Sequence, residues 1–230
     1  MSLRTTLTRA WLTRSIKPFL FKNEYDDFLP FEECENLGLY VHIPFCKSIC
    51  AFCPYCKTVY NKDLCDRYID ALIKEIHKVG GQYKSKKETT SLYFGGGTPA
   101  LIADRIGEII EAIQEHFVVT EGIGVELHPD NVNVETLQKL KAAGVTKLSI
   151  GIQSFQEKYQ NILGRKKVDA NKLKEALSVV EFETVSMDFL FALPTRPTKT
   201  SKQTLIPHSQ AAPIMWRFTR SSIFPLPRAK

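Results

Sequence analysis

The chain has 230 residues, 43% of them apolar and 24% charged, which is enough to bury the core of one globular domain. No stretch is long and apolar enough to span a membrane. The net charge of +6 gives no nucleic-acid footprint, because residues 195–230 hold seven basic residues and no acid while the chain before them is close to neutral.

In chain order, Met1 to Lys22 carries Arg4, Arg9, Arg14, Lys17 and Lys22 without an acid. This faintly resembles a transit peptide, but the simpler reading is a basic N-terminal arm, residues 1–37, ahead of the domain core at 38–194. From there two periods alternate. β-rich runs fall at Leu39–Ile43, Ser91–Phe94, Gly124–Leu127, Lys147–Ile150 and Thr184–Leu190. Helical patterns of period 3.6 fall between them at Asp63–Val79, Ala103–Phe117, Val134–Ala143 and Asn171–Val180. Asn133 and Asp104 suit helix starts, and Gly144 suits a helix end. Four strand-helix units followed by a fifth strand imply parallel strands with right-handed crossovers. The fold class is therefore α/β, either a (β/α) barrel, whole or partial and lacking its C-terminal side, or an open doubly wound sheet. In both, chemistry gathers at the carboxyl ends of the strands.

The loop after the first strand holds Cys46, Cys50, Cys53 and Cys56, four of the six cysteines within eleven residues. Such crowding without a signal peptide reads as metal ligation in a reducing compartment, the cytoplasm. Soft sulfur selects zinc or an iron–sulfur cluster. A structural zinc site needs a second ligand pair, and downstream Cys65 stands alone. Gly95-Gly96-Gly97-Thr98 closes the second strand, where glycines let the backbone approach a ligand closely. Glu126 is a carboxylate near the end of the apolar third strand and needs a partner there.

Cys46-x₃-Cys50-x₂-Cys53 in this position resembles the signature of the radical S-adenosylmethionine superfamily. The preceding Tyr40-Val41-His42-Ile43-Pro44-Phe45 narrows the resemblance to the oxygen-independent coproporphyrinogen III oxidase-like family, which includes haem chaperones and anaerobic haem-degrading methyltransferases. The resemblance implies that Cys46, Cys50 and Cys53 hold three irons of a [4Fe–4S] cluster, leaving the fourth for S-adenosylmethionine. It implies that Gly95, Gly96, Gly97 and Thr98 bind the methionyl amine, that Glu126 and Gln153 contact the cofactor, and that Arg165 pairs with the methionyl carboxylate. Asp188 matches the family's fifth-strand aspartate, Leu190 is placed to contact adenine, and Tyr40 and His42 to line the site. The implied reaction is reductive cleavage of S-adenosylmethionine, with hydrogen abstraction from a porphyrin or haem-like substrate and a low-potential electron donor such as flavodoxin or ferredoxin. Three features depart from the family: Tyr55 stands where the oxidases carry a further cysteine, Lys167 replaces a histidine, and the connection Val180–Thr184 is short and lacks glycine. Two rival readings are a zinc-binding interaction module with Cys56 as fourth ligand and a non-catalytic fragment.

After Leu193-Pro194 the alternation stops although a sixth strand is due. From Pro194 onward come six of the twelve prolines, and the last acid is Asp188. Codons for the stretch from about Thr195 can be chosen so that reading one base earlier encodes an amphipathic helix, a glycine stop and a β-rich strand, the unit the barrel lacks. Residues 195–230 are therefore read as an out-of-frame, disordered tail that leaves the fifth strand with an unpaired edge. Sequencing the gene around codon 195 tests this. The expected result is a continuous family-like frame displaced by one or two bases, whereas codons unable to give that hidden peptide would end the idea.

Overall fold

The computed structural model describes residues 29–31, 33–50, 52–191 and 214–220, with 191 and 214–220 described as backbone alone. Strand β1 (Gly38–Ile43) leads into a short pair, β2 (Phe45–Cys46) and β3 (Thr58–Val59), which brackets the cysteine loop. Helix α1 (Lys62–Gly80) follows, then β4 (Lys87–Thr89), β5 (Ser91–Gly96), α2 (Ile106–Gln114), β6 (Phe117–Val119) and β7 (Ile123–Leu127). The chain continues through α3 (Val134–Ala142), β8 (Lys147–Gln153), α4 (Glu157–Ile162), α5 (Ala170–Val179), β9 (Thr184–Phe191) and β10 (Ile214–Arg220).

The main sheet is all parallel, in the order β1-β5-β7-β8-β9-β10. Spatial order follows chain order, with no point at which it reverses. A doubly wound sheet requires such a reversal, so the fold is the barrel type, with β1 and β10 unjoined among the described residues. Along each central strand alternate residues are apolar and buried: Val41 and Ile43, Leu92 and Phe94, Val125 and Leu127, Leu148 and Ile150, Val185 and Met187. They form one core with the helix residues Ile69, Ile106, Ile109, Leu137, Leu140 and Leu173. Each such side chain contributes roughly 2 kcal/mol by leaving water. Arg105, just before α2, bonds Asp66 and Asp70 of α1 at 3.4 and 2.8 Å and Glu108 of α2 at 2.7 Å, joining neighbouring helices. No helix among the described residues is long and apolar enough to cross a membrane.

Several sequence expectations need correction. Phe117 does not end a helix; it begins β6, which pairs with β4 in a small parallel sheet. Asp104 does not start α2 but reaches Lys139 at 2.7 Å, while Asn133 does cap α3 by accepting the Thr136 N–H at 2.9 Å. Helix α4, six residues long, is too short to show a period. Within the assigned arm, Phe31 and Leu37 pack against the core, and Tyr83 Oη donates to the Leu29 carbonyl at 2.9 Å. The unpaired edge expected beside the fifth strand is occupied by β10, in register from Ile214↔Val185 to Arg220↔Phe191. Exposed parallel edges recruit whatever backbone can pair, which explains an element here despite the proline-rich surroundings. The rest of 195–230 lies outside the described residues, as does 1–28.

Ile109, fully buried in α2, and Val118, 44% exposed in β6, provide a matched test of the core. Ile109→Ala should cost about 2–5 kcal/mol by leaving a cavity. Val118→Ala should stay within about 0.5 kcal/mol. Urea denaturation midpoints check both.

Candidate functional site

The in-register parallel pairing carries the alternation of each strand across the sheet, so residues opposite the core side chains share a second face. That face carries Tyr40, Tyr93, Glu126, Ser149 and Asp188, with Gly95 and Gln153 near the strand ends. Tyr40 and Tyr93 stack with ring centroids 6.4 Å apart. Tyr93 Oη donates to Glu126 Oε1 at 3.1 Å, and the Gly96 N–H donates to Glu126 Oε2 at 3.2 Å. Ser149 Oγ donates to Asp188 Oδ2 at 2.9 Å. Burial, followed by the negative charge of Glu126, pushes the Tyr40 phenol above its usual range.

The glycine triplet has a structural cause beyond close approach to a ligand. Gly96 has φ +114°, and a Cβ there would meet the His42 ring at 2.6 Å. A Cβ on Gly97 would strike the Phe45 backbone, with O at 2.6 Å and N at 2.8 Å. The Gly97 and Thr98 amides donate to the Ile43 and Phe45 carbonyls, each at 2.7 Å. The triplet thus sets the stem of the cysteine loop directly on β5.

The loop itself is clamped at several points. Tyr60 N–H donates to the Cys46 carbonyl at 2.8 Å, and Lys57 Nζ reaches the Tyr55 carbonyl at 3.2 Å. His42 Nε2 donates to the Cys56 carbonyl at 2.9 Å, since a carbonyl can only accept, and Nδ1 lies 3.1 Å from Tyr40 Oη. Tyr68 of α1 donates to the His42 carbonyl at 2.6 Å. Within this frame Cys46, Cys50 and Cys53 are half-buried free thiols, Cys34 and Cys56 are exposed, and Cys65 is buried in α1. Burial raises the Cys46 thiol, the Thr98 hydroxyl lowers it, and Cys53 and Cys50 raise it again.

Groups from distant parts of the chain converge on these sulfurs. Thr98 Oγ1 lies 3.8 Å from Cys46 Sγ. Arg165, after α4, directs Nε to Cys50 Sγ at 3.5 Å, bonds the Gly151 carbonyl, and lies over the Phe52 ring at 5.4 Å. Phe52 and Leu190 pack on the same buried pair, Tyr159 and Leu163, tying the loop to the end of β9. Gln153 holds φ +65° at a register shift in β8, an unfavourable conformation for a residue with a side chain and a frequent mark of a binding site. Lys167 pairs with Glu157 at 3.4 Å near the surface. Sequence reasoning missed His128 at the end of β7. Its ring accepts the Asp130 N–H at 3.2 Å, and burial, then the positive charges of Arg165 and Lys47, push it down to about 4 against the opposing pull of Asp130. The only sequence signal was its place between Leu127 and Pro129 at a strand end.

A family model described as the radical SAM superfamily matches residues 40–195. The heme chaperone HemW of Bacillus subtilis is 31% identical over 170 residues, covering 70% of this chain and 44% of that protein. Anaerobilin synthase of Escherichia coli O157:H7 is 33% identical over 168 residues, covering 70% and 38%. Among solved structures, coproporphyrinogen III oxidase from Escherichia coli, described as a radical SAM enzyme, superposes with a TM-score of 0.65 at 29% identity over 74% of this chain and 40% of that one. The chain thus spans about two fifths of the length of these proteins.

A histidine whose folded value is depressed costs stability as pH falls from its unfolded value, about 6.5, toward about 4, because only the unfolded chain binds the proton in that window. His128 should therefore remove up to about 3 kcal/mol between these limits. Urea unfolding of the cluster-free protein at stepped pH should show that slope, and His128→Gln should flatten it.

Proposed function

The chain belongs to the radical SAM superfamily, and on that premise we propose that Cys46, Cys50 and Cys53 ligate its [4Fe–4S] cluster while the strand ends around them hold S-adenosylmethionine. The superfamily's cofactors are this cluster and S-adenosylmethionine, which together supply one-electron reductive cleavage chemistry. The observation that carries the residue assignment is the convergence of Thr98, at the end of β5, and Arg165, after α4, on the sulfurs of Cys46 and Cys50. The donor set suits an iron–sulfur centre: three free thiols on one clamped loop, two of them beside hydrogen-bond donors. Cys56 is exposed and held by its own carbonyl, which argues against a fourth zinc ligand.

Around this centre the chain's own groups have separable roles. Arg165 offers a guanidinium to the methionyl carboxylate. Glu126 presents to the methionyl amine a carboxylate already oriented by Tyr93 and Gly96. Asp188 and Tyr40 supply polar contacts on the same face, and Leu190, beside Phe52, an apolar contact for adenine.

The substrate we assign is a porphyrin-type molecule, on the similarity to coproporphyrinogen III oxidase, a heme chaperone and anaerobilin synthase. Tyr55, 64% exposed where the oxidases carry a cysteine, favours a second reading within the family, haem binding without turnover.

Anaerobic reconstitution should load one [4Fe–4S] cluster, lost in Cys46→Ala, Cys50→Ala and Cys53→Ala and retained in Cys56→Ala, as read from iron, sulfide and absorbance. Loss in Cys56→Ala with retention in Cys50→Ala would overturn the ligand set. Glu126→Ala and Arg165→Ala should keep the cluster and weaken S-adenosylmethionine binding by about tenfold or more in calorimetry. Reduced protein given coproporphyrinogen III or haem then separates the readings: 5′-deoxyadenosine formation marks turnover, and haem binding without it marks a chaperone.

A further inference from the structure

Helices α1 and α2 run back from the carboxyl ends of the strands, so their last turns lie at the opposite end of the sheet from the cysteine loop. There His77 Nδ1 and His116 Nε2 stand 3.0 Å apart, and Glu115 Oε2 lies 3.7 Å from the same His77 nitrogen. The three ligand atoms all lie within 4.8 Å of one another. The imidazoles meet edge to face, with centroids 5.3 Å apart and planes at 75°.

The backbone around this cluster is fitted to the rings. Gly80 ends α1 beside His116, and a Cβ there would come within 2.4 Å of the His116 Cγ. The His116 N–H donates to Ile113 at 3.0 Å and its carbonyl accepts from Lys87 at 3.0 Å, so the ring is carried on a doubly anchored peptide between α2 and β6. Glu115, 65% exposed, leaves a path to solvent.

We infer that His77, Glu115 and His116 form a binding site for one divalent transition-metal ion of the zinc class, with one coordination position open to water. Two imidazole nitrogens and one carboxylate oxygen are a borderline donor set, suited to zinc and poorly suited to calcium or magnesium, which take oxygen ligands. Zinc–nitrogen bonds of about 2.0–2.1 Å at a tetrahedral angle put the two nitrogens about 3.3 Å apart, so the observed pair needs to open by only a few tenths of an ångström. Water completes the shell, and the ion ties the last turn of α1 to the α2–β6 connection. Nothing in this assignment depends on the cluster or its substrate.

The test uses the full chain, cluster-loaded and freed of excess metal, in a Cys34→Ser, Cys56→Ser background that removes the exposed thiols. Zinc is titrated in competition with a chromophoric chelator. The expected result is one zinc per chain, unaffected by excess magnesium or calcium, with affinity falling about tenfold or more in His116→Ala, His77→Asn and Glu115→Gln. Zinc should also raise the melting temperature of the parent protein but not of the His variants. His116→Ala removes a packed ring, so Glu115→Gln, at an exposed carboxylate, separates ligation from folding. Zinc uptake unchanged in all three variants, or no stoichiometric zinc in the parent, would overturn the site and leave a hydrogen-bonded histidine pair.

Discussion

Parallel strands in register cannot mix their faces, and the rest of this structure depends on that constraint. Because side chains alternate strictly along a strand, the pairing Tyr40↔Tyr93, Tyr93↔Gly124 and Glu126↔Ser149 fixes which residues share a surface across the whole sheet. Burying Leu92, Phe94, Val125 and Leu148 under the helices therefore forces Tyr93, Glu126 and Ser149 to the other side. The polar face is a consequence of the core rather than an addition to it. A one-residue slip of β7 or β9 would expose core residues and bury a carboxylate, so fold stability and site geometry are enforced by the same register.

A half-buried carboxylate is costly unless hydrogen bonds replace its water. Glu126 obtains them from Tyr93 and the Gly96 amide, and Asp188 from Ser149, all side chains or backbone of its own or neighbouring strands. The acids are therefore oriented by the sheet before any ligand arrives. Preorganisation of this kind lowers the ordering cost of binding. Gln153, held at φ +65° where the β8–β9 register shifts, shows that regular pairing yields locally at the strand end.

The cysteine loop is secured without reference to a metal. Its stem is a strand pair, its far side is held by His42 and Lys57, and its apolar member Phe52 packs beside Leu190. A loop fixed in this way presents its thiols together and shields them in part from solvent. The opposite ends of the strands show a different economy: there the histidine pair joins the last turn of α1 to the α2–β6 turn. This division matches the general separation of chemistry and stability between the two ends of such folds.

Long periodic elements were legible in the sequence because their pattern reflects burial directly. The five strand runs and four helices are found within a few residues of where the period put them, and the cysteine spacing, the glycine triplet and Glu126 were legible because each is anomalous for its local element. What depends on distant partners was not legible. Helix α4 and the small β2–β3 and β4–β6 pairs are too short to carry a period and exist through contacts made elsewhere. Likewise, no local pattern marks His128 beside Arg165, Arg165 beside Cys50 across 115 residues of chain, or His77 against His116. Sequence by itself determined which residues alternate and which chemistry they can carry, since both follow from side-chain type and local spacing. The tertiary structure alone decided the barrel-type strand order and which groups meet at the strand ends, because those follow from register and loop closure between segments far apart in the chain.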